Sequence, residues 1–274
     1  MRSGGRRVAA ADGPGTPGQR GPCSGRKGGS VVRRADDAEE QAYDATPFLP
    51  GRRAGLPSLR KAAAVCRGCP LHEGATQTVF GKGDRSARVL IVGEQPGDQE
   101  DRQGQPFVGP AGKLLWRALE EAGLDAKDIY VTNAVKHFKF TTPEGHKRRI
   151  HKAPSLREMT ACKPWLSAEL KVVAPEVVVL LGSTAGRALL GPSFRVTEQR
   201  GALLRWPAHL APSGTGAEGL VATIHPSAVL RAEDRDSAYQ GLVADLRVVV
   251  EVLKGAPDGY SAPGPPRTKS RPET

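Results

Sequence analysis

No run of apolar residues in this chain approaches the roughly eighteen needed to cross a membrane, and its arginine-rich start lacks the apolar centre of a secretory leader. A membrane span is therefore not expected, and a cytoplasmic place is. Cysteine is scarce, with 4 in 274 residues. In an intracellular chain that points toward metal or redox chemistry more than toward a disulfide framework. No internal repeat is evident, so a solenoid is excluded. Phosphate-cradling loops are missing too. "FVGPAGKL" has Phe107 where a Walker loop needs its first glycine and Leu114 where it needs Ser or Thr, and "GKGDRS" lacks the third glycine of a dinucleotide fingerprint.

Apolar runs are also missing from both ends. Residues 1–45 and 256–274 are rich in Gly, Pro, Arg, Ser and Asp, and cannot offset the entropy of ordering. They are expected to be disordered tails, one basic and one proline-rich, around a single domain over 46–255. The formal charge of +11 is unevenly placed. Arg2, Arg6, Arg7, Arg20, Arg26, Lys27, Arg33 and Arg34 against Asp12 leave +7 in the first 35 residues. Net charge is thus weak evidence for what the domain binds.

What is present is an alternation. "RVLIVG" (88–93), "DIYVTN" (128–133), "EVVVLLG" (176–182) and "LVATIHP" (220–226) are short, nearly continuous apolar runs, the pattern of strands covered on both faces. Helical patterns separate them. "GPAGKLLWRALEEAG" sets Leu114, Leu115, Ala118, Leu119 and Ala122 on one face between Pro110 and Gly123. "SLREMTACKPWLSAELKVV" opens with a capping box, Ser155 and Glu158, and repeats Leu156, Met159, Leu166 and Leu170, with a bend or break expected at Pro164. A last helix fits "DSAYQGLVADLRVVVEVL". The expected fold is a three-layer α/β/α domain around a four-stranded parallel sheet.

Ligands of such sheets bind beyond the carboxyl ends of the strands. Glu94 and Gln95 follow the first run, Asn133 ends the second, and His225, Pro226 and Ser227 close the fourth. A carboxylate, an amide and an imidazole then share one rim, although each alone has a plainer reading as a cap, a turn residue or a core histidine. "GST" after the third run reads equally well as a helix cap through Ser183 or Thr184. A second group is "CRGC", Cys66 and Cys69, with Cys162 facing inward from its helix and His137 a better fourth ligand than Cys23. Three thiolates and an imidazole suit zinc or an iron–sulfur cluster, and buried structural thiols are the alternative. "HKRRIHK" (146–152) is the third, a basic loop that reads first as phosphate-facing.

Taken in order, "CRGC", "GEQPGDQED", "PFVGPAG", "NAVKHFKF", "KRRIH" and "HPS" resemble the iron–sulfur uracil-DNA glycosylases of family 4. The chain is still more similar to the UdgX-type proteins that become covalently joined to uracil-containing DNA. The likeness runs from about Cys66 to Leu246. Ordinary family 4 enzymes carry Ala where this chain has Gln95, and lack the basic insertion ending at His151. The resemblance implies a [4Fe–4S] cluster on Cys66, Cys69, His137 and Cys162, His137 replacing the family's third cysteine.

The resemblance also implies roles. Asn133 would read uracil, Phe107 would stack on it, and Gly93 and Gly97 would line the base site. His225 would stabilise the departing uracil anion, with Glu94 facing the cationic sugar and Gln95 beside it. His151 would attack C1′. Lys147, Arg148, Arg149, Lys152 and Ser227 would hold the DNA backbone, while His146 has no counterpart. The expected partner is uracil-containing DNA, single-stranded by preference because an unstacked base costs less to extrude, bound by a monomer. Two alternatives stay open: a turnover glycosylase whose basic loop only grips phosphate, and a non-catalytic cluster-bearing DNA-binding module.

Overall fold

The computed structural model describes residues 43–145, 148–206 and 219–255. Cys23, His146, Lys147 and nearly all of both expected tails lie outside the described residues. Tyr43 to Ala45 do not behave as tail. Ala45 is buried and donates its N–H to the carbonyl of Ala161 at 3.0 Å, so packing begins before the boundary expected at 46.

Among the described residues, helices α1 (Leu56–Ala63) and α2 (Leu71–Gly74) precede strand β1 (Val89–Gly93). Helices α3 (Asp98–Gln103) and α4 (Pro110–Ala122) lead to β2 (Ile129–Asn133), and a short ribbon follows, β3 (Phe140–Thr141) with β4 (Ile150–His151). The chain continues through α5 (Leu156–Val173), β5 (Val177–Leu181), α6 (Gly182–Leu190), α7 (Val196–Gln199) and β6 (Leu203–Leu204). It ends with β7 (Gly219–Thr223), α8 (Pro226–Arg231) and α9 (Arg235–Leu253).

The main sheet has the order β2-β1-β5-β7-β6. Its first four strands are parallel and fully buried, as their continuous hydrophobicity predicts, and they are the four runs read from the sequence. Alternate strand residues feed two cores. Leu90, Val92, Val178 and Leu180 pack with Leu59, Trp165, Leu166 and Ala185, placing α1, α5 and α6 on one face. Ile91, Val131, Val179 and Val221 pack with Leu115, Leu119, Leu242 and Leu246, placing α4 and α9 on the other.

Three features differ from expectation. The two-residue β6 adds an antiparallel edge to the sheet; it is too short to leave a periodic signal. Helix α5 runs through Pro164 without a break and keeps its capping box, Glu158 N–H to Ser155 Oγ at 3.3 Å and Ser155 N–H to Glu158 Oε2 at 2.6 Å. Leu156, assigned to its apolar face, is 65% exposed because it sits in the first turn, ahead of the packed surface.

The third feature is the ribbon, which the sequence shows only as a basic loop. Its inner face is pinned by Arg149. That guanidinium lies 2.5 Å from Asp98 Oδ1 and 2.6 Å from Asp101 Oδ2, over the rings of Phe138 and Phe140. The expectation that Arg149 holds phosphate is thus corrected: two carboxylates of α3 already occupy it, and its side chain is only 13% exposed. Arg148 and Lys152 are exposed. Arg149→Ala would leave the fully buried Asp101 without its cation, so urea denaturation should show a loss of about 3 kcal/mol. Arg148→Ala should stay within about 0.5 kcal/mol of the parent.

Candidate functional site

The carboxyl ends of β1, β2, β5 and β7 open onto a cleft of about 620 Å³. Glu94, Gln95, Gly97, Phe107, Asn133, His151, His225 and Ser227 all line it. Parallel register sets Gly93 beside Asn133 at the ends of neighbouring strands. Gly93 is glycine for a steric reason: a Cβ there would collide with Asn133 Oδ1 and with the Phe107 ring.

Phe107 is held in the left-handed region, at φ 55°, a conformation that costs an ordinary residue about 1–2 kcal/mol. Its surroundings impose it. Glu100 Oε1 accepts from Val108 N–H at 3.0 Å and Gly109 N–H at 2.8 Å, Gly112 packs on the Phe107 backbone, and Trp116 Nε1 donates to its carbonyl at 3.3 Å. Strain of this kind persists only where the surroundings over-determine it.

His225 caps α8, and its Nδ1 accepts the Ser227 N–H at 3.1 Å. The ring proton must then sit on Nε2, on the side away from the helix. Burial first, then the nearby His151 and Arg231, push its pKa down to about 4, so the imidazole is neutral and a donor at physiological pH. Ser227 is spent on this histidine, its Oγ lying 2.8 Å from Nδ1.

Glu94 meets two partners. Thr184 Oγ1 donates to its Oε2, and His151 Nε2 lies 3.4 Å from its Oε1. Thr184 was legible only as a possible cap. Helix α6 begins at Gly182 without a side-chain cap, which frees the hydroxyl for the cleft. Arg231, also on the cleft wall, left no signal in the sequence beyond its closeness to "HPS".

His151 arrives from the side on β4, half-exposed. Gln95 fixes the strand's position. Its Oε1 accepts Lys139 N–H at 3.0 Å, and its Nε2 donates to the carbonyls of Lys139 and Lys152, each at 3.1 Å. Lys139 and Lys152 are the two feet of the ribbon, joined by Lys152 N–H to Lys139 O at 3.0 Å. The amide thus spends both its heteroatoms on backbone.

Cys66, Cys69, Cys162 and His137 surround a separate void of about 10 Å³. Trp165 Nε1 donates to Cys66 Sγ and Lys136 N–H to Cys162 Sγ, both at 3.3 Å. Thr78 gives its hydroxyl proton to Ala63 O at 2.9 Å, so at 2.8 Å from that hydroxyl His137 Nε2 must donate, leaving Nδ1 bare. Burial pushes Cys162 up to about 12, raises Cys69, and lowers His137 to about 4. Among the described residues no three of His, Cys, Asp and Glu are grouped tightly enough to hold a single metal ion. The donor chemistry, three sulfurs and one bare imidazole nitrogen with N–H groups already aimed at sulfur, fits a thiolate-bound cluster.

A doubly wound sheet thus carries a carboxylate, an amide, an aromatic face and a neutral imidazole around one cleft at its carboxyl edge. The family model of the uracil DNA glycosylase superfamily matches residues 80–247. The chain belongs to that superfamily. It is 36% identical over 167 residues to the type-4 uracil-DNA glycosylase of Thermotoga maritima, covering 61% of this chain and 78% of that one. The type-4 enzyme of Pyrobaculum aerophilum is 35% identical, covering 64% and 85%. The type-5 enzyme of the same organism is 32% identical over 123 residues, covering 39% and 50%.

The buried His225 sets a pH dependence of stability. Between pH 6.5 and about 4, an unfolded imidazole takes up a proton while His225 stays neutral. The unfolded chain then binds more protons, so stability falls as pH falls through that window. Urea midpoints should be lower at pH 5 than at pH 7. Equal midpoints would contradict the assignment of that ring as buried and neutral.

Proposed function

We propose that the protein excises uracil from DNA and that His151 then captures the sugar at C1′. Membership of the superfamily and likeness to type-4 uracil-DNA glycosylases support the first half. The observation that carries the second is His151 Nε2 at 3.4 Å from Glu94 Oε1, at the edge of the same cleft, on a ribbon whose feet are clamped.

Uracil leaves the stack, stacks on Phe107 and meets Asn133. An amide there donates to O4 and accepts from N3–H, a pattern cytosine reverses, so the wrong base leaves buried groups unpaired. The bond from C1′ to the base breaks with its electron pair going to uracil. Negative charge gathers on the ring, and the neutral His225 donates Nε2–H to it, a bond that strengthens as that charge appears. Glu94, held by Thr184, faces the sugar as it becomes cationic. It is also placed to take the Nε2 proton of His151 as the lone pair of the ring's other, unprotonated nitrogen attacks C1′. The product is a neutral alkylated imidazole with a poor leaving group, so each molecule acts once. Arg148 and Lys152 would meet phosphate without reading bases.

Cys66, Cys69, Cys162 and the bare Nδ1 of His137 would hold a [4Fe–4S] cluster. As its ligands, these residues would tie the turn after α1 to α5 and to the segment after β2. Anaerobically purified protein should be brown and carry iron and labile sulfide. Stoichiometric zinc in a colourless solution would overturn the cluster and keep the ligands.

The capture step is tested on a denaturing gel. Wild-type protein should give a heat- and SDS-resistant band with uracil-containing but not thymine-containing oligonucleotide, stronger when the DNA is single-stranded. His151→Ser should lose the band and leave abasic sites, because Glu94, Asn133 and His225 remain. A wild type that releases uracil with no band is a turnover glycosylase, and the role given to His151 falls.

A further inference from the structure

Directly behind Asn133 lies a buried ionic network that the chemistry above does not use. Lys136 and Glu169 are 1% and 0% exposed, and Lys136 Nζ stands 2.5 Å from Glu169 Oε2. Taking two charges out of water costs several kcal/mol per ion, and apolar residues of similar size often serve stability as well or better. Stability alone is a poor explanation for the pair. Its hydrogen bonds point to a different one.

An ammonium has three protons, and all three of Lys136 are directed: to Glu169 Oε2, to Thr132 Oγ1 at 2.6 Å, and to the main-chain carbonyl of Asn133 at 2.7 Å. Glu169 is equally saturated. Its Oε1 accepts from Tyr130 OH at 2.9 Å and Gly81 N–H at 3.1 Å, and Thr132 Oγ1 lies 3.0 Å from both carboxylate oxygens. Apart from the Gly81 N–H, every group that bonds to the pair belongs to β2. The carbonyl of Asn133 sits where the strand stops pairing and the chain turns, Ala134 and Val135 giving their N–H groups to Gly93 and Glu94 at 2.9 and 3.0 Å. Without Lys136, that carbonyl would be a buried acceptor at the residue whose side chain reads the base.

We propose that Lys136 and Glu169 are positioning residues for base recognition: the buried ammonium grips the Asn133 carbonyl so that the amide side chain stands in one place when uracil arrives. This rests on the uracil reading above. Glu169 is on α5, the helix that packs under the sheet, so the grip transmits the rigidity of the core to the recognition residue. A fully satisfied network of this kind holds one arrangement and disfavours others.

Either single substitution would strand a buried charge and threaten folding. The test is therefore Lys136→Met with Glu169→Gln in one protein. The glutamine keeps an acceptor for Tyr130 and Gly81 and a donor for Thr132, and only the Asn133 carbonyl loses its partner. Binding is measured to matched single strands carrying either cytosine or uncleavable 2′-fluoro-deoxyuridine. The double variant should bind the cytosine strand as wild type does, yet lose about tenfold or more of its preference for the uracil strand. A crystal structure of the variant should show Asn133 displaced. A folded double variant that keeps the wild-type preference, or an unmoved Asn133, would overturn the proposal. A wild type with no preference for the uracil strand would overturn the functional reading instead, and the position of Asn133 would still decide whether the network holds it.

Discussion

The reach of His151 into the cleft depends on one amide. Gln95 leaves the end of β1 and bonds to both feet of the ribbon, accepting from Lys139 and donating to Lys139 and Lys152. A two-residue antiparallel ladder is marginal in water by itself. This one is held from below by Gln95 and along its inner face by Arg149, between Asp98 and Asp101. The histidine's place is therefore set by the rigid sheet and not by the loop that connects β3 to β4. Alanine at position 95 could make none of these bonds, which ties the glutamine and the basic insertion into one device.

The electrostatics of the cleft follow from the same economy. Two imidazoles and a carboxylate share one rim, each in its own surroundings. His225 is buried, its Nδ1 filled by the Ser227 N–H, and it stays neutral well below physiological pH. His151 is half-exposed and faces Glu94. Glu94 is tied on its other oxygen by Thr184. In the mechanism proposed above, a neutral donor on the base side and a carboxylate on the sugar side match the two charges that a breaking glycosidic bond creates.

The parallel sheet and its rim were legible because fully buried strands write an unbroken apolar run, and the residue after each run must lie at the carboxyl edge. Glu94, Asn133 and His225 could be named on that ground alone. The ribbon could not be read. Its strands are two residues long and their stability comes from Gln95, 44 residues before Lys152's partner Lys139. Arg149 looked like its basic neighbours because charge pattern does not say which cation finds a buried carboxylate. Thr184 and the Lys136–Glu169 pair were hidden for the same reason: contacts over 90 and 33 residues leave no local trace. The helix through Pro164 shows packing overriding a local preference.

In the mechanism proposed above, a histidine on a clamped ribbon, and no other nucleophile, ends on the sugar. Digestion of the protein after reaction with a uracil-containing oligonucleotide, followed by mass spectrometry, tests it most directly. A deoxyribose adduct on the imidazole of His151 alone is expected. An adduct on His146, Lys147 or Lys152, or an unmodified His151 in protein that has released uracil, would contradict it.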